Sequence, residues 1–340
     1  MNSISEPGRE LISRVEDETD PKYGCPPAKR SIEAHLRYGV INLDKPSGPS
    51  SHEVVAWVKK LLHVDHAGHS GTLDPKVTGV LPIGLKEATK VIGVLLLSKK
   101  EYVCVLRLHD DASEDRVRAV LAEFVDEIYQ RPPLRSSVQR TLRTRRIYYI
   151  DDLEFQSHLV LFRVGCQSGT YIRKLCHDIG EALGVGAHMD ELRRTRGGSF
   201  GEDENLVTLF DLKDAYDALT ERGDESKLRA CVQPMENALK DRPRVFIRDS
   251  AVDSICHGAK LAIPGISKLD PEISPKNIVG IYSLKGELVA IGRALLSTDE
   301  MVTQEHGIAF DTLRVVMPIG TYPRTWQTHD HKSTEKEARC

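Results

Sequence analysis

No apolar run in this 340-residue chain approaches the roughly 20 residues that cross a bilayer, the longest being Val91 to Leu97. The N-terminus (MNSISEPGRELISRVEDETD) lacks the basic start and apolar stretch of a secretory signal, so the expectation is a cytoplasmic protein without membrane contact. Cysteines are few: Cys25, Cys104, Cys166, Cys176, Cys231, Cys256 and Cys340 are scattered, odd in number and free of any Cys-x-x-Cys spacing. That excludes a disulfide framework and a zinc ribbon and leaves reduced, packing thiols. Positive charge is not in excess either, since the net charge is -3, which denies the chain a global electrostatic footprint for nucleic acid.

What charge there is has a pattern. Arg131, Arg135, Arg140, Arg143, Arg145 and Arg146 lie in a stretch without acidic residues, and Arg193, Arg194 and Arg196 cluster further on. Local basic tracks of this kind can bind phosphates while acid elsewhere keeps the total low.

The length suits two domains better than one. Residues 1–35 show no period and read as an extension. Strands are expected at Arg37 to Leu43, Val80 to Leu85, Tyr102 to Leu108, Arg145 to Phe155 and His158 to Val164, and helices at Ser50 to Leu62, Glu87 to Leu97, Ser113 to Phe124 and Thr170 to Leu183. Ser50 and Glu53 form a capping-box signature. Strand runs that adjoin one another as often as they alternate with helices predict an α+β fold with a mixed, largely antiparallel sheet. A charged helical connector between Leu219 and Arg242, with few core residues, marks the seam. Beyond it, short β-like runs at Val245 to Arg248, Ile278 to Ser283, Glu287 to Arg293 and Leu313 to Met317, punctuated by glycines, predict a small β-barrel-like module, followed by a polar tail over 327–340.

The most informative segment is His66 to Gly84, HAGHSGTLDPKVTGVLPIG. Pro75 pushes Asp74 toward extended geometry, and the glycines permit close approach of a ligand. An Asp-Pro pair in a loop is commonly an Asx turn, and the residues alone leave that reading standing. A hydrolase elbow fails because Thr72 stands where Gly-x-Ser-x-Gly needs its last glycine. His66 and His69 have no third ligand at a useful spacing, so no metal is expected, and a phosphate-binding Walker loop is absent.

HSGTLDPKVTGVLPIG (His69 to Gly84) resembles the catalytic motif of the TruB/dyskerin family of RNA pseudouridine synthases. Further matches follow in order: GVINLDKPSGPSSH (Gly39 to His52), the K-x-Y element at Lys100 to Tyr102, SGTYIRKL (Ser168 to Leu175) and LRRTRGGSF (Leu192 to Phe200). HGAKLAIPGI (His257 to Ile266) and KGELVAIGRAL (Lys285 to Leu295) are similar to a PUA RNA-binding domain. RPPLRSSVQRTLRTRRIYYIDDLE (Arg131 to Glu154) resembles the archaeal, H/ACA guide-RNA-dependent branch.

The resemblance implies a catalytic domain over 36–240 and a PUA domain over 243–326. It also implies isomerisation of uridine to pseudouridine without any cofactor, on rRNA chosen by H/ACA guide RNAs and on tRNA, with small companion proteins. Asp74 is implied as the catalytic carboxylate, attacking uracil C6 or ribose C1' or acting at C2', with Arg173 as its cation inside a site closed to water. Tyr102 would stack on the uracil and assist removal of the C5 proton, and His69 would fill the space the flipped base leaves. Tyr171, Leu192 and Lys45 are expected at the substrate, and Lys260 and Gly258 at RNA in the C-terminal module. Two other readings stay open: a stand-alone tRNA synthase, and a noncatalytic RNA-binding assembly factor on the same fold.

Overall fold

The computed structural model describes residues 10–131, 141–203 and 205–324, and its chain divides into a unit of residues 30–241 and a unit that joins the N-terminal segment to residues from 242 onward. Arg135, Arg140, Cys340 and the polar tail therefore lie outside the described residues. The first strand, β1 (Ile12–Ser13), belongs to the second unit.

In the unit of residues 30–241 the chain runs α1 (Ile32–Arg37), β2 (Gly39–Lys45), α2 (Ser51–Leu61), β3 (Ala67–His69), β4 (Thr78–Leu85), α3 (Thr89–Leu97), β5 (Lys100–Leu108), α4 (Glu114–Glu123) and β6 (Asp126–Gln130). It continues through β7 (Arg143–Gln156), β8 (Leu159–Cys166), α5 (Ile172–Leu183), β9 (Ala187–Gly197), β10 (Phe200–Gly201), α6 (Leu209–Arg222), α7 (Ser226–Cys231) and β11 (Gln233–Pro234). The strands make one sheet in the order β11-β2-β4-β9-β5-β8-β7-β6, with β10 beside β9 and β3 beside β4. Among these named strands only β4 and β9 pair in parallel, through Thr78 with Arg193 and Gly79 with Arg194. The sheet is thus mixed and largely antiparallel, as the run of elements predicts.

Local chemistry explains most boundaries. Ser50 and Glu53 make the capping box in both directions, which starts α2 where the signature predicts. β4 is buried along almost its whole length, so it reads as an unbroken apolar run, whereas β5 alternates buried and half-buried positions. Two apolar clusters form the core: Ile41, Val54, Leu81 and Leu212 in the first, and Cys104, Phe162, Leu175 and Ile179 in the second.

Three elements differ from expectation. α1, capped by Ser31, begins inside the stretch read as aperiodic extension and ends at Arg37, where a strand was expected to start, because a six-residue helix is too short to show a period. β9 carries so many charges that its strand character is masked. The connector is not a solvated linker: Leu228, Val232, Met235 and Leu239 within it are fully buried, and β11 joins the sheet edge.

The second unit is a seven-stranded sheet among the described residues. Its further strands are β12 (Arg244–Ile247), β13 (Leu261–Ala262), β14 (Ile266–Leu269), β15 (Ile278–Ser283), β16 (Leu288–Ala294) and β17 (Ile308–Val315), in the order β1-β14-β12-β15-β16-β17-β13. The N-terminal segment is integral to it. Ile12 pairs with Leu269, the Arg14 guanidinium donates to the carbonyls of Met301, Ile263 and Gln304, and the Cys25 amide donates to Glu287. Gly24 has a φ of +66°, and a Cβ there would stand 2.4 Å from both Glu287 Oε2 and the Tyr322 hydroxyl.

Candidate active site

The motif at Gly39 to His52 builds a platform under the loop that carries Asp74. β2 ends at Lys45, whose side chain is fully buried and whose ammonium donates to the carbonyls of Pro46, Pro75 and Val77, each at 2.9 Å. The Gly48 amide donates to the same Pro75 oxygen at 2.9 Å. Buried Ser51, in the first turn of α2, accepts from the Leu73 amide at 2.9 Å and donates to the Leu73 carbonyl at 3.2 Å. The backbone on both sides of Asp74 is thereby pinned, and the Val77 amide closes the turn onto the Asp74 carbonyl.

Lys45 was expected to meet RNA, but the structure gives it this internal task instead. A buried ammonium must spend its donors on acceptors, and three carbonyls satisfy all of them. Burial first, and the nearby Arg194 second, push its pKa below the ordinary lysine value.

Asp74 pairs with Arg173 in the first turn of α5. The pair is not closed off: 49% of the Asp74 side chain and 53% of Arg173 remain exposed, contrary to the water-free site expected. The start of α5 is fixed by buried Gln130 at the end of β6. Its side-chain oxygen accepts from the Tyr171 amide at 2.9 Å, and its amide group donates to the Tyr171 carbonyl at 3.1 Å. Gln130 was missed because a lone glutamine at a strand end carries no sequence signal. Tyr171 itself is half-buried at the helix cap.

Tyr102 is buried on β5, with Arg194 of β9 as its cross-strand partner. Burial, the larger effect, raises the pKa of its phenol, and the Arg194 guanidinium across the ladder acts in the opposite direction. Two residues before it, Lys100 caps the C-terminal end of α3 by donating to the carbonyls of Leu95 and Ser98, and burial brings its pKa down to about 7. His69 ends β3 with its Nδ1 accepting from the Gly71 amide and its ring edge-on to His52 at 4.9 Å. Burial and then the neighbouring positive groups hold its pKa down to about 4, so the ring is neutral at ordinary pH. Leu192 lies on β9 opposite Cys104, against the second core cluster.

The arginine clusters are less available than their sequence suggests. Arg193 pairs with Asp44 at 3.0 Å and Glu202 at 2.5 Å, Arg196 with Asp203 at 2.9 Å and Arg146 with Asp126 at 3.3 Å, while Arg194 is buried. Arg145 donates from Nη1 to the Thr144 carbonyl at 2.7 Å, while its buried Nε lacks a partner. In the second unit Lys260 is exposed but paired with Asp311 at 2.9 Å, and Gly258, at a φ of +87°, opens onto free space. Gly265 instead packs toward Ala251. Among the described residues no group of three or more His, Cys, Asp or Glu side chains could hold a metal ion, and no helix is long and apolar enough to cross a membrane.

Comparison with known proteins places this geometry in a family. The model of the TruB family pseudouridylate synthase N-terminal domain matches residues 59–172, and that of the tRNA pseudouridylate synthase B C-terminal domain matches 173–240. A DKCLD (NUC011) domain matches 6–55 and a PUA domain 243–316. The "Probable tRNA pseudouridine synthase B" of Methanopyrus kandleri is 59% identical over 318 residues, 94% of each chain. That of Pyrococcus abyssi is 56% identical over 319 residues, covering 94% of this chain and 96% of its own. A solved H/ACA RNP bound to a substrate RNA containing 2'-deoxyuridine aligns with a TM-score of 0.87 at 52% identity, over 94% of this chain and 98% of that one. A Cbf5-Nop10-Gar1 complex aligns with a TM-score of 0.88 at 55% identity, over 94% and 97%. By sequence and by structure, the chain belongs to the TruB family of pseudouridine synthases, enzymes that isomerise uridine to pseudouridine in RNA.

Proposed function

We propose that this chain acts on uridines presented by an H/ACA guide RNA together with small companion proteins, with Asp74 as the catalytic carboxylate. The observation that carries the reading is the Asp74–Arg173 pair, set on a loop pinned from beneath by Lys45, Gly48 and Ser51 and left open on its other side. The reaction needs no redox change, and its central requirement is a carboxylate oriented at the sugar or base of a flipped-out nucleotide. Arg173 supplies charge and a bidentate fork that orients the carboxylate. RNA itself closes the site when the nucleotide enters. Tyr102 stacks on the uracil and receives the C5 proton. His69, neutral, fills the gap in the RNA, and Tyr171 and Leu192 line the nucleotide's path. In the PUA domain Gly258 allows the backbone near RNA, and Lys260 exchanges Asp311 for a phosphate. Asp74 and its neighbours work in the cytoplasm, on rRNA chosen by the guide.

Guided rather than stand-alone action is favoured by the near-complete alignment with a chain solved within an H/ACA particle. The tRNA reading draws on the names of the curated relatives. Tritium release from RNA labelled with [5-³H]uridine decides between them. Release that requires a guide RNA and companion proteins supports guided action, and equal release from bare tRNA overturns it.

A further inference from the structure

Arg194 is the largest side chain that the fold buries completely, at 1% exposure, and among the described residues no carboxylate pairs with it. An uncompensated buried guanidinium is costly, so its charge asks for a task. Its Nε donates to the Val80 carbonyl at 2.6 Å, one Nη reaches toward the Gly71 carbonyl at 3.4 Å, and across the β5–β9 ladder it stands opposite buried Tyr102, on whose phenol its charge acts. The three partners lie in the loop before Asp74, in the strand after it and on β5. Arg194 also stands where β4 and β9 make their parallel pairing, and Gly79 makes that approach possible, since a Cβ there would fall 2.2 Å from the Arg194 carbonyl oxygen.

The charged and titratable groups around this centre are few. Tyr102 is influenced by Arg194 and by the buried Cys166 thiol, and Arg194 in turn acts on Lys45, Lys100 and His69. Lys45 and Lys100 are occupied with backbone carbonyls, leaving Arg194 as the cation opposite the phenol. Its positive charge favours the phenolate against the burial that disfavours it.

We propose that Arg194 is a positioning residue of the reaction, one that fixes the Tyr102 phenol oxygen and sets a positive charge beside it so that this oxygen can take the C5 proton. The proposal rests on the reading of Tyr102 as the group that receives that proton. The Tyr102 phenol first gives its proton to water, and once C5 has bonded to C1', the C5–H bond breaks and the C5 proton passes to the phenolate oxygen. The freed pair restores the C5–C6 double bond, and N1, left with the pair displaced from its bond to C6, takes a proton from water.

The test uses the full chain with guide RNA and companion proteins and [5-³H]uridine RNA, following single-turnover tritium release from pH 5.5 to 9.5. Native protein, Tyr102→Phe, Arg194→Lys, Arg194→Gln and the double variant Tyr102→Phe/Arg194→Lys are compared, with thermal melting as the check on folding. Arg194→Lys and Arg194→Gln should bind RNA as the native chain does and release tritium about 10- to 100-fold more slowly. The rising limb of the Arg194→Gln pH profile, where the charge is lost, should move to higher pH, the double variant should be no slower than Tyr102→Phe alone, and 3-fluorotyrosine at position 102 should restore part of the rate in Arg194→Gln. A slow Tyr102→Phe beside an Arg194→Gln whose pH profile is native, or an Arg194→Lys defect that multiplies with it, overturns the role of Arg194 and leaves Tyr102 in place. A native rate in Tyr102→Phe removes the phenol from the chemistry and Arg194 with it. Loss of the folded state in both Arg194 variants would assign the residue to the fold alone and also overturn the proposal.

Discussion

Lys45 donates from a buried ammonium to the Pro75 carbonyl at 2.9 Å, one residue beyond Asp74. The relation makes Lys45 a support of the site, and it separates two outcomes for Lys45→Met. Three carbonyls lose their donor, so stability should fall by about 1–3 kcal/mol and turnover should drop with it. RNA affinity should stay near native, because the side chain never reaches the surface. Filter binding beside tritium release checks this, and a large loss of affinity with native turnover would return Lys45 to the RNA.

Asp74→Asn should abolish pseudouridine formation while melting changes by no more than about 1 kcal/mol, since an ion pair this exposed contributes little to folding. Arg173→Ala should behave alike: catalysis falls steeply and stability hardly moves. Measurable turnover in a pure Asp74→Asn preparation would remove the carboxylate from the mechanism.

His69 gives the catalytic unit an acid-sensitive component. In the unfolded chain it protonates near its ordinary value of 6.5, but in the folded chain it stays neutral down to about 4. Between these values the unfolded state binds more protons, so the contribution is fully present above about 6.5 and is lost as pH falls toward about 4. His69→Gln should flatten this loss. Urea unfolding at pH 7 and pH 5 reads it directly, and parallel losses in native and variant protein would rule the contribution out.

In the second unit Gly24→Ala should destabilise by about 1–3 kcal/mol, because a left-handed backbone acquires a Cβ that collides with Glu287 and Tyr322. Hydrogen exchange of β14 amides should accelerate, while exchange in the β2–β4 ladder stays native. Unchanged β14 protection would mean that the N-terminal segment adds little to this unit.

The elements with strong local signals were legible in the sequence: the capping box at Ser50 and Glu53, the apolar run of β4 and the motif around Asp74. What could not be read was decided by tertiary context. Lys45 and Arg194 look like surface cations in sequence, and nothing local says that β2 and β9 carry them inward. Arg193 and Arg196 look like a phosphate track until Asp44, Glu202 and Asp203 are brought beside them. The connector hides its buried face because Leu228, Val232, Met235 and Leu239 span a helix end, a strand and a 3-10 turn, with no single period.

The embrace of β14 by β1 also orders events in time. Arg14 finds its partner Gln304 across 290 residues, so a chain emerging N-terminus first holds this segment unpaired while everything between is made. At roughly 5–20 residues per second that wait lasts about 15–60 s. The sheet of this unit therefore cannot be completed until residue 304 has been made, well after the last strand of the unit of residues 30–241.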